Sequence, residues 1–167
     1  MTLSRSTPQP IDRRGPRFAA WVSVVVLAIT LVTSSAWVLV GQALVFGIGA
    51  FAGLRWHPYG VLYRTLVAPR LGPPTEWEDP APVRFAQGMG FVLATVGAVG
   101  YLSGFTTVGI TATALTLGAA FLQAAFGICL GCAIYLRLPA GLRRGANVRS
   151  ATNTVHNNVN TERGAAA

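Results

Sequence analysis

Residues 107–137, TVGITATALTLGAAFLQAAFGICLGCAIYLR, meet no charged side chain until Arg137. About 20 apolar residues cross the hydrocarbon core of a bilayer. The run is therefore too long for one upright helix and must hold a span plus a further segment. That further segment carries Cys129 and Cys132, the two cysteines of the 167-residue chain. Where the helix stops decides whether the pair lies inside the membrane or at its surface.

Three more uncharged runs lie upstream, at residues 18–34, 37–54 and 85–102. The links at residues 34–36 and 103–106 are short, so the runs form two αα-hairpins. A hydrophobic fraction of 52% with 11% charged residues, and a mean hydropathy of +0.51, exceed what a soluble domain carries. The expectation is an all-α integral membrane four-helix bundle.

The charge pattern supplies orientation. All 13 basic residues are arginine, and the net charge is +8. Such a balance would suit nucleic acid if the arginines shared one soluble face with aromatics between them. Here they flank apolar runs instead, so the expected partner is the lipid bilayer and not nucleic acid. Arg5, Arg13, Arg14 and Arg17 precede the first run, and Arg55, Arg64, Arg70 and Arg84 border the middle loop. Arg137, Arg143, Arg144, Arg149 and Arg163 follow the fourth run, and the two short links hold none. Basic residues in short loops stay on the cytoplasmic side. Both termini and the loop at residues 55–84 are thus expected in the cytoplasm, in a multi-pass protein of a bacterial inner (plasma) membrane. The alternative is that RRGPRF and the first run form a cleaved, twin-arginine-like export signal.

An internal repeat argues against cleavage. Asp12, Arg17, Phe18 and Ala19 recur 67 residues later as Asp79, Arg84, Phe85 and Ala86. Further along the offset grows to 72, where HPYGVLYR (residues 57–64) falls on CLGCAIYL (residues 129–136) and Tyr63 on Tyr135. The expected organisation is a cytoplasmic segment at 1–16, a four-span domain at 17–140 and a disordered tail at 141–167. Within the domain, tandem repeats at about 12–66 and 79–138 stand in parallel orientation. Cleavage of the first run would leave one repeat incomplete.

The repeat also places the cysteines. In the first half a span must end near Arg55, because Arg55, His57 and Pro58 interrupt an apolar helix. Arg55 corresponds to Gly127. From residue 108 to 127 is 20 residues, or roughly 30 Å of helix, one hydrocarbon thickness. Cys129 and Cys132 then sit at the cytoplasmic interface, on an interfacial segment that carries Tyr135 and Arg137.

Cys129 and Cys132 are the candidate catalytic redox pair, and His57, at the position equivalent to Cys129, is a candidate assistant that could face it across the repeat axis. Residues three apart on a helix share a face with Cβ atoms about 5–6 Å apart, wider than an ideal disulfide. A reversible bond is expected, with the dithiol as the resting state on a reducing side of the membrane. Arg137 and His57 could lower a thiol pKa. Metal binding needs more ligands than two thiolates and one imidazole, which a dimer could supply. Packing is the plain alternative, since cysteine and glycine suit close helix contacts. Ala133 stands where c-type haem attachment needs histidine, and no cofactor is expected.

Other polar residues have structural readings. Gln42, Gln87 and Gln123 lie in or near spans and are expected to hydrogen-bond between helices. Glu78 or Asp79 should cap the third span, and His156 falls in the tail. No Asp, Glu, Lys or His lies in mid-membrane, which disfavours a proton-coupled pump.

RGPRFAAW, RWHPYGVLYRTLVAPRLGPPTEWEDPAPVRFAQG and AAFGICLGCAIY together resemble the bacterial membrane family called domain of unknown function 4395, over about residues 10–140. The resemblance implies a membrane fold and gives weight to His57, Pro58, Tyr59, Asp79, Pro80, Arg84, Phe85, Cys129, Gly131 and Cys132. It implies no substrate. Two functions remain open. One is a thiol-disulfide or sulfur-relay component that works with a cytoplasmic thioredoxin-like or sulfurtransferase protein. The other is a non-catalytic scaffold or small-molecule channel. Either could act as a homo-oligomer.

Overall fold

The computed structural model describes residues 11–72 and 76–137. The expectations for the first residues, for Arg143, Arg144, Arg149 and Arg163, and for the tail with His156 lie outside the described residues. Order along the chain is β1 (Ile11–Asp12), α1 (Arg14–Thr33), α2 (Ala36–Gly47), α3 (Pro58–Leu62), β2 (Trp77–Glu78), α4 (Pro80–Leu102), α5 (Thr106–Phe126) and α6 (Leu130–Arg137). A π-helical turn, Ile48–Ala52, extends α2, and a π turn with a 3-10 turn, Tyr63–Val67 and Ala68–Arg70, extends α3.

α1, α4 and α5 are each long and apolar enough to cross a membrane, and Ala36–Ala52 is a shorter apolar helix. Their outer faces are apolar: Val25, Ile29, Leu44, Val92, Val96, Val99, Ile110 and Leu115 are all exposed. Side chains of this kind on every long helix suit hydrocarbon and would be unstable in water. The interior is small by contrast. Leu27, Leu39, Ala43, Phe46, Ala94 and Ala98 form its core.

Glycine lets the helices approach closely. A Cβ on Gly97 would stand 2.9 Å from Leu39 Cδ2, and one on Gly100 would stand 2.8 Å from the backbone N of Gly109. Close backbone approach is how apolar helices gain contact where no hydrophobic drive separates helix from lipid. Buried Thr113 and Thr116 turn their hydroxyls onto Gly109 O and Ala112 O, 2.7 Å away in each case, leaving no unpaired donor.

The hairpins interlock crosswise, with α2 packed on α4 and α1 on α5. Arginine ties the ends. Arg84 donates to Ala50 O at 3.0 Å, and Arg17 donates to Ala124 O at 3.3 Å. Each guanidinium thereby satisfies carbonyls at the end of a neighbouring helix, where a cation is favoured. The starts of α1 and α4 and the ends of α2 and α5 consequently share one end of the bundle. The arginine-free links 34–35 and 103–105 lie at the other.

Helix starts follow the local sequence. Asp79 Oδ1 accepts from Ala81 N at 2.9 Å with Pro80 in the first turn, as expected of an N-cap. Asp12 Oδ1 accepts from Arg14 N at 3.0 Å. The segment at residues 55–84, expected as a loop, holds two short structured pieces instead. α3 begins at a His-Pro step, and β2 pairs antiparallel with β1 through Ile11–Glu78 and Asp12–Trp77. Two-residue strands carry no periodicity, so nothing in the sequence marks them.

Candidate functional site

α5 ends at Phe126 with Gly127 as its C-cap, where a span of about 20 residues is expected to stop. Gly127 adopts φ 68°, a left-handed conformation that favours glycine, and Ile128 N donates back to Leu122 O at 3.2 Å. The chain then turns and starts α6 at Leu130. Cys129 lies at the cap of that helix: its carbonyl accepts from Ala133 N at 2.9 Å and its Sγ accepts from Cys132 N at 3.2 Å. The pair is therefore not carried on a continuous helix. Cys129 precedes the first turn, which brings the Cα atoms to 5.1 Å, within the usual range for a disulfide. The two sulfurs are bonded, where a reducing compartment would favour the dithiol.

This arrangement alters which groups tune the sulfur. Arg137 stands at the far end of α6, seven residues or roughly 10 Å along the axis from the helix start. The groups next to Cys129 Sγ are the backbone N–H of Cys132 and the positive end of α6. Both favour a thiolate over a thiol. Cys132 is buried and Cys129 is half-buried, so Cys129 is the sulfur that a reagent meets first. Gly131 between them is required by packing, since a Cβ there would stand 2.6 Å from Ala86 Cα on α4.

His57 stands at the start of α3 much as Cys129 stands at the start of α6. Its Nδ1 accepts from Gly60 N at 3.3 Å at the start of α3, as Cys129 Sγ accepts from Cys132 N at the start of α6. Other contacts recur in the same way. Phe18 meets Tyr63 with ring centroids 5.8 Å apart, and Phe85 meets Tyr135 at 5.5 Å. The imidazole is 2% exposed and lies against Gly49, where a Cβ would stand 2.6 Å from His57 Cδ2. Burial pushes its pKa down to about 4, which the adjoining Gln87 side chain opposes in part. It is neutral at physiological pH. His57 Nε2 and Gln87 Oε1 have no partner of bonding geometry among the described residues.

Two cavities meet at Gln87. One, of about 320 Å³, reaches Cys129 and Gly131 from between α1, α4, α5 and α6. The other, of about 300 Å³, is lined by Asp12, His57, Tyr63, Arg64 and Trp77. Pro16, Ala19, Val83 and Gln87 wall both. His57 and the cysteines thus line adjoining cavities, with Gln87 between. The polar residues behave unequally. Gln42 Nε2 donates to Ser23 Oγ at 3.1 Å and its Oε1 accepts from Tyr59 OH at 2.8 Å, as expected of an interhelical glutamine. Gln123 leaves a buried Oε1 without a partner among the described residues, and Gln87 Oε1 adjoins the His57 imidazole without full bonding geometry.

Tyr63 and Asp12 form a link that the sequence does not display. Tyr63 OH donates to Asp12 Oδ2 at 2.8 Å, and burial, with this carboxylate beside it, pushes the phenol up to about 12. Asp12 is thereby helix cap and phenol acceptor at once. Among the described residues no three His, Cys, Asp or Glu side chains converge as a metal would require. Within this chain the set of two thiolates plus His57 is not assembled.

No curated protein and no solved structure matches the chain. A family model described as Domain of unknown function (DUF4395) matches residues 11–139, most of the chain, and to that family the protein belongs.

Proposed function

We propose that the protein is a four-span thiol-disulfide component of the plasma membrane, with both termini and the segment between the hairpins in the cytoplasm. In this reading Cys129 and Cys132 exchange electrons with a soluble thioredoxin-like or sulfurtransferase protein. The arrangement of Cys129 carries the reading: a half-buried residue, its sulfur bonded to its partner, at the start of a helix whose N–H groups favour a thiolate.

The exchange balances within the two proteins. A thiolate of the soluble dithiol attacks Cys129 Sγ, and Cys132 leaves as a thiolate. The second thiol of the soluble protein then attacks its own sulfur in the mixed disulfide, releasing Cys129 onto the N–H of Cys132. Two protons from the soluble dithiol end on the two cysteines, and its sulfurs become the disulfide.

The recurring contacts support an internal duplication in which the first half has exchanged the thiol pair for His57 and Gly60. Orientation rests on the arginines gathered at one end of the bundle. A packing role is favoured by one observation, the tight fit of Gly131 on Ala86. Trapping with a water-soluble alkylating reagent separates the two readings. A redox pair is blocked when oxidised, becomes reactive after mild dithiol reduction, and reacts first at Cys129. Thiols that stay inert after reduction in the folded protein would overturn the redox reading.

A further inference from the structure

A thiol pair that cycles needs a second redox partner, and the cavity beneath Cys129 has features of a site for one. Its walls are almost entirely apolar, and among the described residues no charged side chain lines it. Along α5 it extends from Gln123 to Leu115, eight residues or about 12 Å toward the middle of the span. It is therefore elongated along the helices. Its rim includes Met89, Leu115, Leu130 and Ile134, all exposed on the outer apolar surface. A ligand would enter from lipid, not from water.

Four polar side chains interrupt this wall, and two of them are satisfied, Ser23 Oγ accepting from Gln42 Nε2 and Thr116 Oγ1 donating to Ala112 O. Gln123 Oε1 is buried and has no partner among the described residues, whereas Gln87 Oε1, also short of bonding geometry, adjoins the His57 imidazole on its other side. The remaining polar feature is Cys129 itself. A neutral, lipid-soluble molecule with a ring bearing two oxygens suits this lining, since its oxidised form accepts from amide N–H groups and its reduced form supplies hydroxyl donors to the amide oxygens. It has an apolar body, its oxygens bond to amides, and its ring can take two electrons.

We infer that this cavity binds the ring of a membrane quinone and that the quinone oxidises the Cys129–Cys132 dithiol. The inference rests on the redox reading above. The step is dithiol plus quinone giving disulfide plus quinol. The two S–H bonds break, the S–S bond forms, and two electrons and two protons pass to the two ring oxygens. The new O–H groups donate to Gln87 and Gln123. With the soluble partner's dithiol restoring the pair, electrons flow from cytoplasmic thiols to the quinone pool.

The test uses the full chain in lipid nanodiscs, reduced and freed of reductant. A ubiquinone analogue with a fully substituted ring, which cannot add thiols, is offered in one arm, and a soluble disulfide in the other. Quinol formation is followed by absorbance and thiol loss by alkylation. The expected result is one quinol for each pair of thiols lost. Ala119→Phe, which fills the cavity, should lower the ratio of quinone to soluble-disulfide oxidation rates on the order of a hundredfold by denying the ring its position. If that variant does not insert, Gln123→Leu keeps the side-chain volume, removes both amide atoms and is expected to lower the same ratio. Oxidation by the soluble disulfide but not by quinone would overturn the quinone site and leave the exchange reading standing. An unchanged ratio in the inserted variant would do the same. Inertness toward both oxidants would overturn both.

Discussion

At the scale of single residues, His57 and Cys129 show different chemistry held at two similar helix starts. Each side chain accepts the N–H three residues on, and so caps a short helix. His57 does so in a buried site that keeps it neutral down to about pH 4. An unfolded histidine binds its proton near pH 6.5, so between these values the unfolded chain holds more protons than the folded one. Stability present at neutral pH is then lost as pH falls through the unfolded value. Between about pH 7 and pH 5 the loss should be about 2 kcal/mol. His57→Asn, which keeps a capping acceptor but does not titrate, should flatten that dependence in thermal unfolding in detergent. A variant with the same acid sensitivity as the parent would show that another group is responsible. The same substitution also tests the assistant role. If His57 only caps α3, alkylation of the reduced Cys129 should keep its rate; a slower reaction would mean that the imidazole acts on the thiol across the Gln87 wall.

Elements are joined here by close contact more than by polar bonds, and glycine marks where. Gly131 presses α6 onto Ala86 of α4, whereas Gly118 on α5 has nothing within 4 Å of where a Cβ would lie. Gly131→Ala must push α6 away or distort it, at about 1–3 kcal/mol, and should loosen the cysteine pair with it. Gly118→Ala should be neutral or stabilising by up to about 1 kcal/mol, from helix propensity alone. Comparing the two by thermal unfolding tests the α4–α6 contact directly, and equal effects would refute it. Capping adds a second check. Asp79→Ala removes the acceptor for Ala81 N and should cost about 1 kcal/mol, whereas Asp79→Asn should restore most of it. The exposed Arg13–Glu76 pair at 2.7 Å, by contrast, should matter little, since surface ion pairs contribute about 0–1 kcal/mol.

For the whole molecule, the arginines gathered at one end make a statement about orientation. Reporter fusions at Ser35 and Gly104 should read as exterior, and a fusion at Gly72 as cytoplasmic, because basic residues in short segments are retained inside. An exterior reading at Gly72 would invert the arrangement and place the thiol pair on the oxidising side. Arg17 and Arg84 have a second task in the same place, donating to carbonyls at the ends of α5 and α2. Arg84→Gln should therefore disturb the packing of α2 on α4 as well as the charge balance, while replacing the exposed Arg70 should alter charge alone. Proteolytic sensitivity in membranes would show the difference.

Much of this architecture was legible in residue order alone. Uncharged runs of the right length mark the four helices, because lipid leaves the chain few other ways to satisfy its backbone. Asp79 marks a helix start through its capping side chain, and the length of one span, with the correspondence to Arg55, marks a helix end at Gly127. The offsets of 67 and 72 residues pointed to Phe18 and Tyr63 as counterparts of Phe85 and Tyr135. Tertiary structure alone decided the rest, for one physical reason: those features depend on distances between residues far apart in sequence. The two-residue β1–β2 pairing, the Tyr63–Asp12 bond, the crosswise packing of the hairpins and the cavity that brings Gln87 and Gln123 to Cys129 leave no periodic trace. The cysteines show the division within a single motif. Their spacing and position beyond the span were readable, but whether the first would continue a helix or begin a new one depended on Gly127 turning left-handed and on Gly131 fitting against Ala86.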